Sequence, residues 1–205
     1  MKKVLTSLLI FTIIFGLVGC SQVEKIQDTV EIGRTFNDWF QSLEGKEGIL
    51  IENMIENGDE ILYPTDLTID ASLKISDKKT IEVNKNSVTR EELLQFIQDK
   101  DNLPEDWQLL TNYELRNPDK VVIKNKEDEE IELEDTGLGD VQDIVSLVGD
   151  KTGNSRPLYA NIYLELYNTE TGEKEDFTGN IKLTFTELDD EWYIQEVYLD
   201  FTKIN

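Results

Sequence analysis

"PLYANIYLELYN" (residues 157–168), "DFTGNIKLTFTE" (176–187) and "EWYIQEVYLDF" (191–201) alternate apolar and polar residues, the pattern of half-buried β-strands. Turn-forming stretches separate them, "TETG" at 169–172 and "LDD" at 188–190. A four-residue loop at 169–172 sets Leu164 opposite Phe177, Ala160 opposite Ile181 and Leu158 opposite Leu183. All the apolar partners then share one face, and a slip of one residue would turn the whole set into water. The last strand keeps this phase through Ile194 and resumes it at Val197, Leu199 and Phe201. One extra residue at Gln195–Glu196 reconciles the two halves, which predicts a β-bulge there. Gly179 falls on the apolar face in mid-strand, where a curved sheet would bend.

Upstream, residues 24–44 carry Ile26, Val30, Ile32, Phe36, Trp39, Phe40 and Leu43 at helical spacing. Gly45 and Gly48 punctuate that helix, and "ILIENMIEN" (49–57) predicts a second short helix stopped by Gly58. "LTIDASLKI" (67–75) alternates as a half-buried strand, and a shorter strand is expected at Thr80–Val83. Thr89 and Glu92 form a capping box ahead of Leu93, Leu94, Phe96 and Ile97, predicting a helix of about 90–99. Strands are expected near 107–115, 120–125 and 129–134, the first two joined by "RNPD" (116–119). Residues 141–148 are apolar without a readable period, and "GDKTGNS" (149–155) reads as a loop.

The expected fold class is α+β: N-terminal helices packed on a curved antiparallel sheet that ends in a three-stranded meander. Helices first, then a meander closing on Trp192, Ile194, Val197, Leu199 and Phe201, resembles the nuclear-transport-factor-like or ketosteroid-isomerase-like cone. The helix bearing Phe36 and Phe40 belongs to the same resemblance, and residues 58–155 match it least. A cystatin-like sheet around a helix is the other arrangement that fits. The cone resemblance implies an alternative function, a small-molecule-binding or catalytic pocket inside the cone.

The N-terminus carries an address. Met1-Lys2-Lys3 precedes a charge-free run from Val4 to Val18, which is the anatomy of a secretory signal. As a helix this run spans roughly 22 Å, short of a hydrocarbon core of about 30 Å. It ends Leu17-Val18-Gly19-Cys20, and this stretch resembles the lipobox of bacterial lipoproteins. The resemblance implies removal of residues 1–19 and a diacylglyceryl group on the Cys20 sulfur. Residues 20–23 would then be anchor and short tether, and 24–205 one extracytoplasmic domain, with 58–155 the stretch that would form any separate lobe. Two acyl chains hold a protein stably at a membrane, where one does not.

The chain has 43 acidic and 20 basic residues among 205, a net charge of −23. That balance excludes a phosphate-neutralising surface, so no nucleic-acid partner is expected. There is no histidine, and Cys20 is the sole cysteine. Ser-His-Asp triads, Cys-His pairs and histidine-based zinc sites are thereby excluded. No catalytic motif, cofactor site or metal site is read from the sequence, and the protein is expected not to be an enzyme.

One surface stands out. The predicted register gives strand 157–168 a second face of Tyr159, Asn161, Tyr163, Glu165 and Tyr167, with Thr178, Lys182 and Thr184 across from it. Tyrosine supplies large contact area at low entropic cost, which suits an interface. This face is the candidate contact for another envelope protein, or for a second copy of the chain in a homodimer. "KEDEEIELED" (126–135) reads as a charged edge strand, since calcium ligation needs carboxylates converging at a turn. "GDKTG" (149–153) lacks the glycines of a phosphate loop and reads as a turn. Glu196, at the predicted bulge, is the one pocket residue nominated, because bulges re-aim side chains.

Overall fold

The computed structural model, which describes residues 26–40, 61–98, 103–117, 120–131 and 146–204, carries these patterns on eight strands and on helices of which the longest three are named below. In chain order they are α1 (26–40), β1 (Leu67–Ser76), β2 (Lys79–Val88), α2 (Arg90–Gln98) and α3 (Glu105–Leu110). There follow β3 (Tyr113–Leu115), β4 (Val122–Lys124), β5 (Glu130–Ile131), β6 (Ser155–Asn168), β7 (Lys174–Leu188) and β8 (Glu191–Lys203). All eight strands belong to one sheet ordered β2-β1-β8-β7-β6-β4-β5, with β3 also paired to β6.

The meander β6-β7-β8 has the register that the alternation demands. Leu158 faces Leu183, Ala160 faces Ile181 and Leu164 faces Phe177. On the next strand Thr184 faces Glu196 while Phe185 faces Ile194, so Gln195 is the extra residue of the bulge. The Thr186 hydroxyl donates to Gln195 Oε1 at 2.6 Å, which occupies the displaced side chain. At the β7–β8 turn Asp189 and Asp190 have φ of 54° and 67°. Both are left-handed, as a two-residue turn matched to strand twist requires.

Gly179 pairs with Ile162 on one side and Phe201 on the other. A Cβ added there would lie 2.0 Å from the Asp200 carbonyl oxygen and 2.6 Å from the Phe201 ring. Only glycine permits the strands to approach this closely.

The sheet is not wholly antiparallel as expected: β1 runs parallel to β8, from Thr68 opposite Glu196 to Lys74 opposite Thr202. Alternation specifies which side chains face inward, and it is the same for parallel and antiparallel neighbours. Residues 107–115 are not one strand either. Glu105–Leu110 is helical, entered through Pro104 and burying Trp107 and Leu110 at i, i+3. The Phe96 and Trp107 rings meet edge-on at 4.8 Å and join α2 to α3. Nor do β3 and β4 form a hairpin; they follow one another along β6, Tyr113 opposite Asn168 and Val122 opposite Tyr163. Strand β2 runs to Val88, past the expected Val83.

Ile32, Phe36, Trp39 and Phe40 of α1 are buried together with Phe177, Leu183, Phe185 and Ile194 of the sheet. Each such side chain contributes about 1.5–3 kcal/mol through burial. Ile26, placed in the apolar stripe by spacing, is 54% exposed. Arg156 Nη2 reaches Asp28 Oδ2 at 3.3 Å and ties α1 to the start of β6. The capping box of α2 forms as predicted, with Thr89 N donating to Glu92 Oε2 at 2.8 Å and Glu92 N to Thr89 Oγ1 at 3.1 Å. Cys20 with the signal and tether, the helix at 49–57, and the expectations for 132–134 and 141–145 lie outside the described residues.

Candidate binding trough on the outer sheet face

Cross-strand pairing arranges the residues on the other side of the sheet in rows. The central row reads Lys124, Asn161, Asn180, Asp200, Ser72 and Glu82 across β4, β6, β7, β8, β1 and β2. On one side of it run Tyr159, Lys182, Tyr198 and Asp70; on the other run Val122, Tyr163, Thr178, Thr202 and Lys74.

Two hollows open on this face. One, of about 510 Å³, is lined by Val122, Lys124, Asp128, Tyr163, Thr178, Asp200 and Thr202 around Asn161, Gly179 and Asn180. The other, of about 390 Å³, lies among Asn125, Lys126, Tyr159, Lys182 and Tyr198 and shares Asn161 and Asn180. Through those two asparagines they form one trough, within the size range of ligand sites.

The turn between β4 and β5 raises one wall. Buried Asn125 holds it: its Oδ1 accepts from the backbone N–H groups of Glu127 and Glu129, both at 3.0 Å. Lys124 Nζ pairs with Asp128 Oδ1 at 3.1 Å, and Lys126 Nζ lies 4.7 Å from the Tyr159 ring centroid. Among the described residues, the side chains of Asn180, Lys182, Tyr198 and Asp200 make no hydrogen bond or ion pair with the protein.

The far end of β6 is different. Glu165 is buried and accepts from Asn117 Nδ2 at 2.6 Å, Lys120 Nζ at 2.6 Å and Lys174 Nζ at 2.9 Å. The Lys120 hydrogen bond first, then those of Lys174 and Asn117, hold its carboxyl at a pKa of about 2. Arg116 lies over the Tyr167 ring at 3.5 Å and pairs with Glu114 at 2.6 Å. The five sequence-nominated residues therefore divide. Asn161 and Tyr163 line the trough, Tyr159 lines it under Lys126, and Glu165 and Tyr167 are tied to their own chain.

Tyr163 is 37% exposed, its hydroxyl pKa raised by desolvation and the Asp176 carboxylate beside it. Asn180, Tyr198 and Asp200 were missed in sequence, although the alternation of β7 and β8 turns them outward as surely as it turns Val197 and Leu199 inward. Glu196, nominated at the bulge, is exposed and accepts from the Thr184 hydroxyl at 2.6 Å. Its bulge is occupied internally through Gln195.

On the core side, Tyr113 donates to Glu175 at 3.2 Å, and Lys203 pairs with Glu175 at 3.2 Å. Burial, then the Glu175 charge, pushes the Tyr113 pKa well above its usual value. The void it shares with Leu110, Leu166 and Phe201 is about 10 Å³. Such a space admits one water at most, so this buried chain of polar groups serves packing. Among the described residues, no group of three or more metal-ligating side chains converges.

Fold and site define an α+β protein with a mixed sheet of eight strands and an open, tyrosine-rimmed polar trough. No known family and no curated protein matches the chain. Among solved structures, it is similar to a nuclear transport factor 2-like superfamily protein from Salmonella enterica serovar Typhimurium LT2. That likeness covers 84% of this chain and 89% of the other, with a TM-score of 0.44 and 10% identity. A structure named Rd1NTF2_05 with five substitutions is similar over 73% of this chain and 89% of its own, with a TM-score of 0.29 and 11% identity.

Proposed function

We propose that this protein is a non-catalytic binding module whose ligand lies in the trough across β4, β6, β7 and β8. The observation that carries the reading is the set Asn180, Lys182, Tyr198 and Asp200, polar groups aligned on one face and without hydrogen-bond or ion-pair partners among the described residues. On the same face of the sheet, toward the end of β6, the chain satisfies such a group itself, as at Glu165. A floor of this kind makes full hydrogen bonds with an incoming ligand, and its water is displaced without burying an unpaired group.

The module is proposed to work at the outside of the cell membrane, held by acyl chains on Cys20, with a ligand or partner in the cell envelope. The lipobox resemblance supports that location, and mass spectrometry of the mature N-terminus tests it: an unmodified position 20 overturns the anchor.

The trough itself is tested by a benzophenone photocrosslinker placed at Tyr163 or Tyr198 in living cells. A mass-shifted adduct at these positions, and none at Thr80 on the distant β2, is the expected result. Equal labelling at all three, or none, overturns the assignment. A dimer-sized adduct would identify a second copy of the chain as the occupant.

A further inference from the structure

We infer that the trough takes an uncharged glycan chain, lying across the strands with its sugar rings over Asn161, Asn180 and Asp200. This inference rests on the binding reading above and names its ligand class. Strands β6, β7 and β8 are each paired on both edges, so their backbone groups are consumed within the sheet. An extended peptide therefore cannot add to the floor as a strand, and recognition falls to side chains alone.

Those side chains have a mixed donor and acceptor character. Asn180 presents an amide donor pair and a carbonyl acceptor, Asn161 donates from Nδ2 to the Asn125 carbonyl at 3.5 Å and keeps its own carbonyl as an acceptor, Asp200 accepts only, and Lys182 donates only. Vicinal hydroxyls, each able to donate and accept, are the ligand groups that match such a set. The polar groups recur at the strand spacing of about 4.8 Å, a distance comparable to one sugar ring. Tyr163 and Tyr198 stand exposed at the rim and present flat apolar rings beside polar hydroxyls, while the ring of Tyr159 lies under Lys126. A sugar ring has the complementary shape, one face of C–H groups bordered by hydroxyls.

Charge decides against the other classes. The chain carries −23, and a field of that sign repels a polyanion. Within the trough Lys124 is paired with Asp128 and Lys182 is offset by Asp200, so the single surplus charge is that of Lys126, which rests on the Tyr159 ring, too little to hold a polyanion against the field of the whole chain. A cation finds no convergent carboxylates among the described residues. An apolar protein surface would strand the asparagines and Asp200 without partners, at a cost that a polyhydroxylated chain avoids.

Amide spectra of the full-length protein titrated with cellotetraose, maltotetraose or chitotetraose test the inference, with polygalacturonate as the charged comparison. At least one neutral tetrasaccharide is expected to shift, saturably, the amides of Asn161, Asn180, Lys182 and Tyr198. Asn180→Ala and Tyr198→Ala should each weaken that binding about tenfold, the worth of one good contact, while Lys79→Ala at the start of β2 does not. No perturbation at millimolar saccharide, or binding only of the polyanion and its loss in salt, overturns the glycan. If the photocrosslinked adduct forms and proves to be protein while no saccharide binds, the trough stands and its ligand class falls. If neither adduct nor saccharide binding is found, both readings fall.

Discussion

The two halves of β6 share one strand, one alternation and one outward face, yet they end in opposite states. At Glu165 and Tyr167 the chain supplies its own partners: Asn117, Lys120 and Lys174 for the carboxylate, Arg116 for the ring. Two turns of the pleat earlier, Asn161 lies beside Asn180 and Asp200, touches its own chain through the Asn125 carbonyl at 3.5 Å, and shares with them the open trough. The difference comes from neighbours. Residues Arg116, Asn117 and Lys120, between β3 and β4, reach over the far half, whereas the β4–β5 turn walls the near half without covering it. A polar face on a sheet is thus either a sealed surface or a binding surface, depending on what the adjoining segments supply.

The strongest way to break that contrast is to disturb the floor beneath it. Gly179→Ala forces a methyl group against the Asp200 carbonyl and the Phe201 ring. A loss of about 3 kcal/mol or more, at the upper end of overpacking, is expected in chemical denaturation. A loss below about 1 kcal/mol would mean the strands are free to part there.

Next is the sealed half. Glu165→Gln should lower the melting temperature at neutral pH, because Lys120 and Lys174 lose their shared charge. The pKa of Glu165 is depressed to about 2 in the folded protein. Its stabilisation is therefore complete above the ordinary carboxylate pKa of about 4.3 and disappears as pH falls through the folded value. The gap in melting temperature between wild type and variant should accordingly close between about pH 4.3 and pH 2. A gap independent of pH would show that packing, not charge, seals this end.

The β7–β8 turn offers a change that touches neither half. Asp189 and Asp190 both hold φ above +50°, which Asn-Gly adopts at less cost. The double change Asp189→Asn with Asp190→Gly should stabilise by about 1 kcal/mol in denaturant titration and leave trough labelling unchanged. Smallest of all is the expected stability effect in the trough itself. Asn180→Ala and Tyr198→Ala should alter stability by no more than about 0.5 kcal/mol, since neither side chain is hydrogen-bonded within the described protein. Thermal unfolding of these variants sharpens the comparison: a large loss would mark the open half as structural after all.

Much of this was legible in advance. The register of the meander, the bulge at Gln195, the inward Gly179 and the Thr89–Glu92 capping box were all readable from local order. Trp107 misled, because an apolar residue two places before Leu109 resembles alternation until Leu110 supplies the helical i, i+3 partner. Tyr159, Asn161 and Tyr163 were found by reading the outward phase of β6. Tyr198, Asn180 and Asp200 were overlooked because β7 and β8 were read for their apolar phase only.

What the sequence by itself determined is which side of each strand each residue faces. That follows from a period of two and from turns of known length, which are properties of adjacent residues. Only the tertiary structure decided that β1 would run parallel to β8 and that Glu165 would be sealed while Asn180 and Asp200 stayed open. Those outcomes depend on which distant segments come to lie alongside, and local periodicity carries no record of that choice.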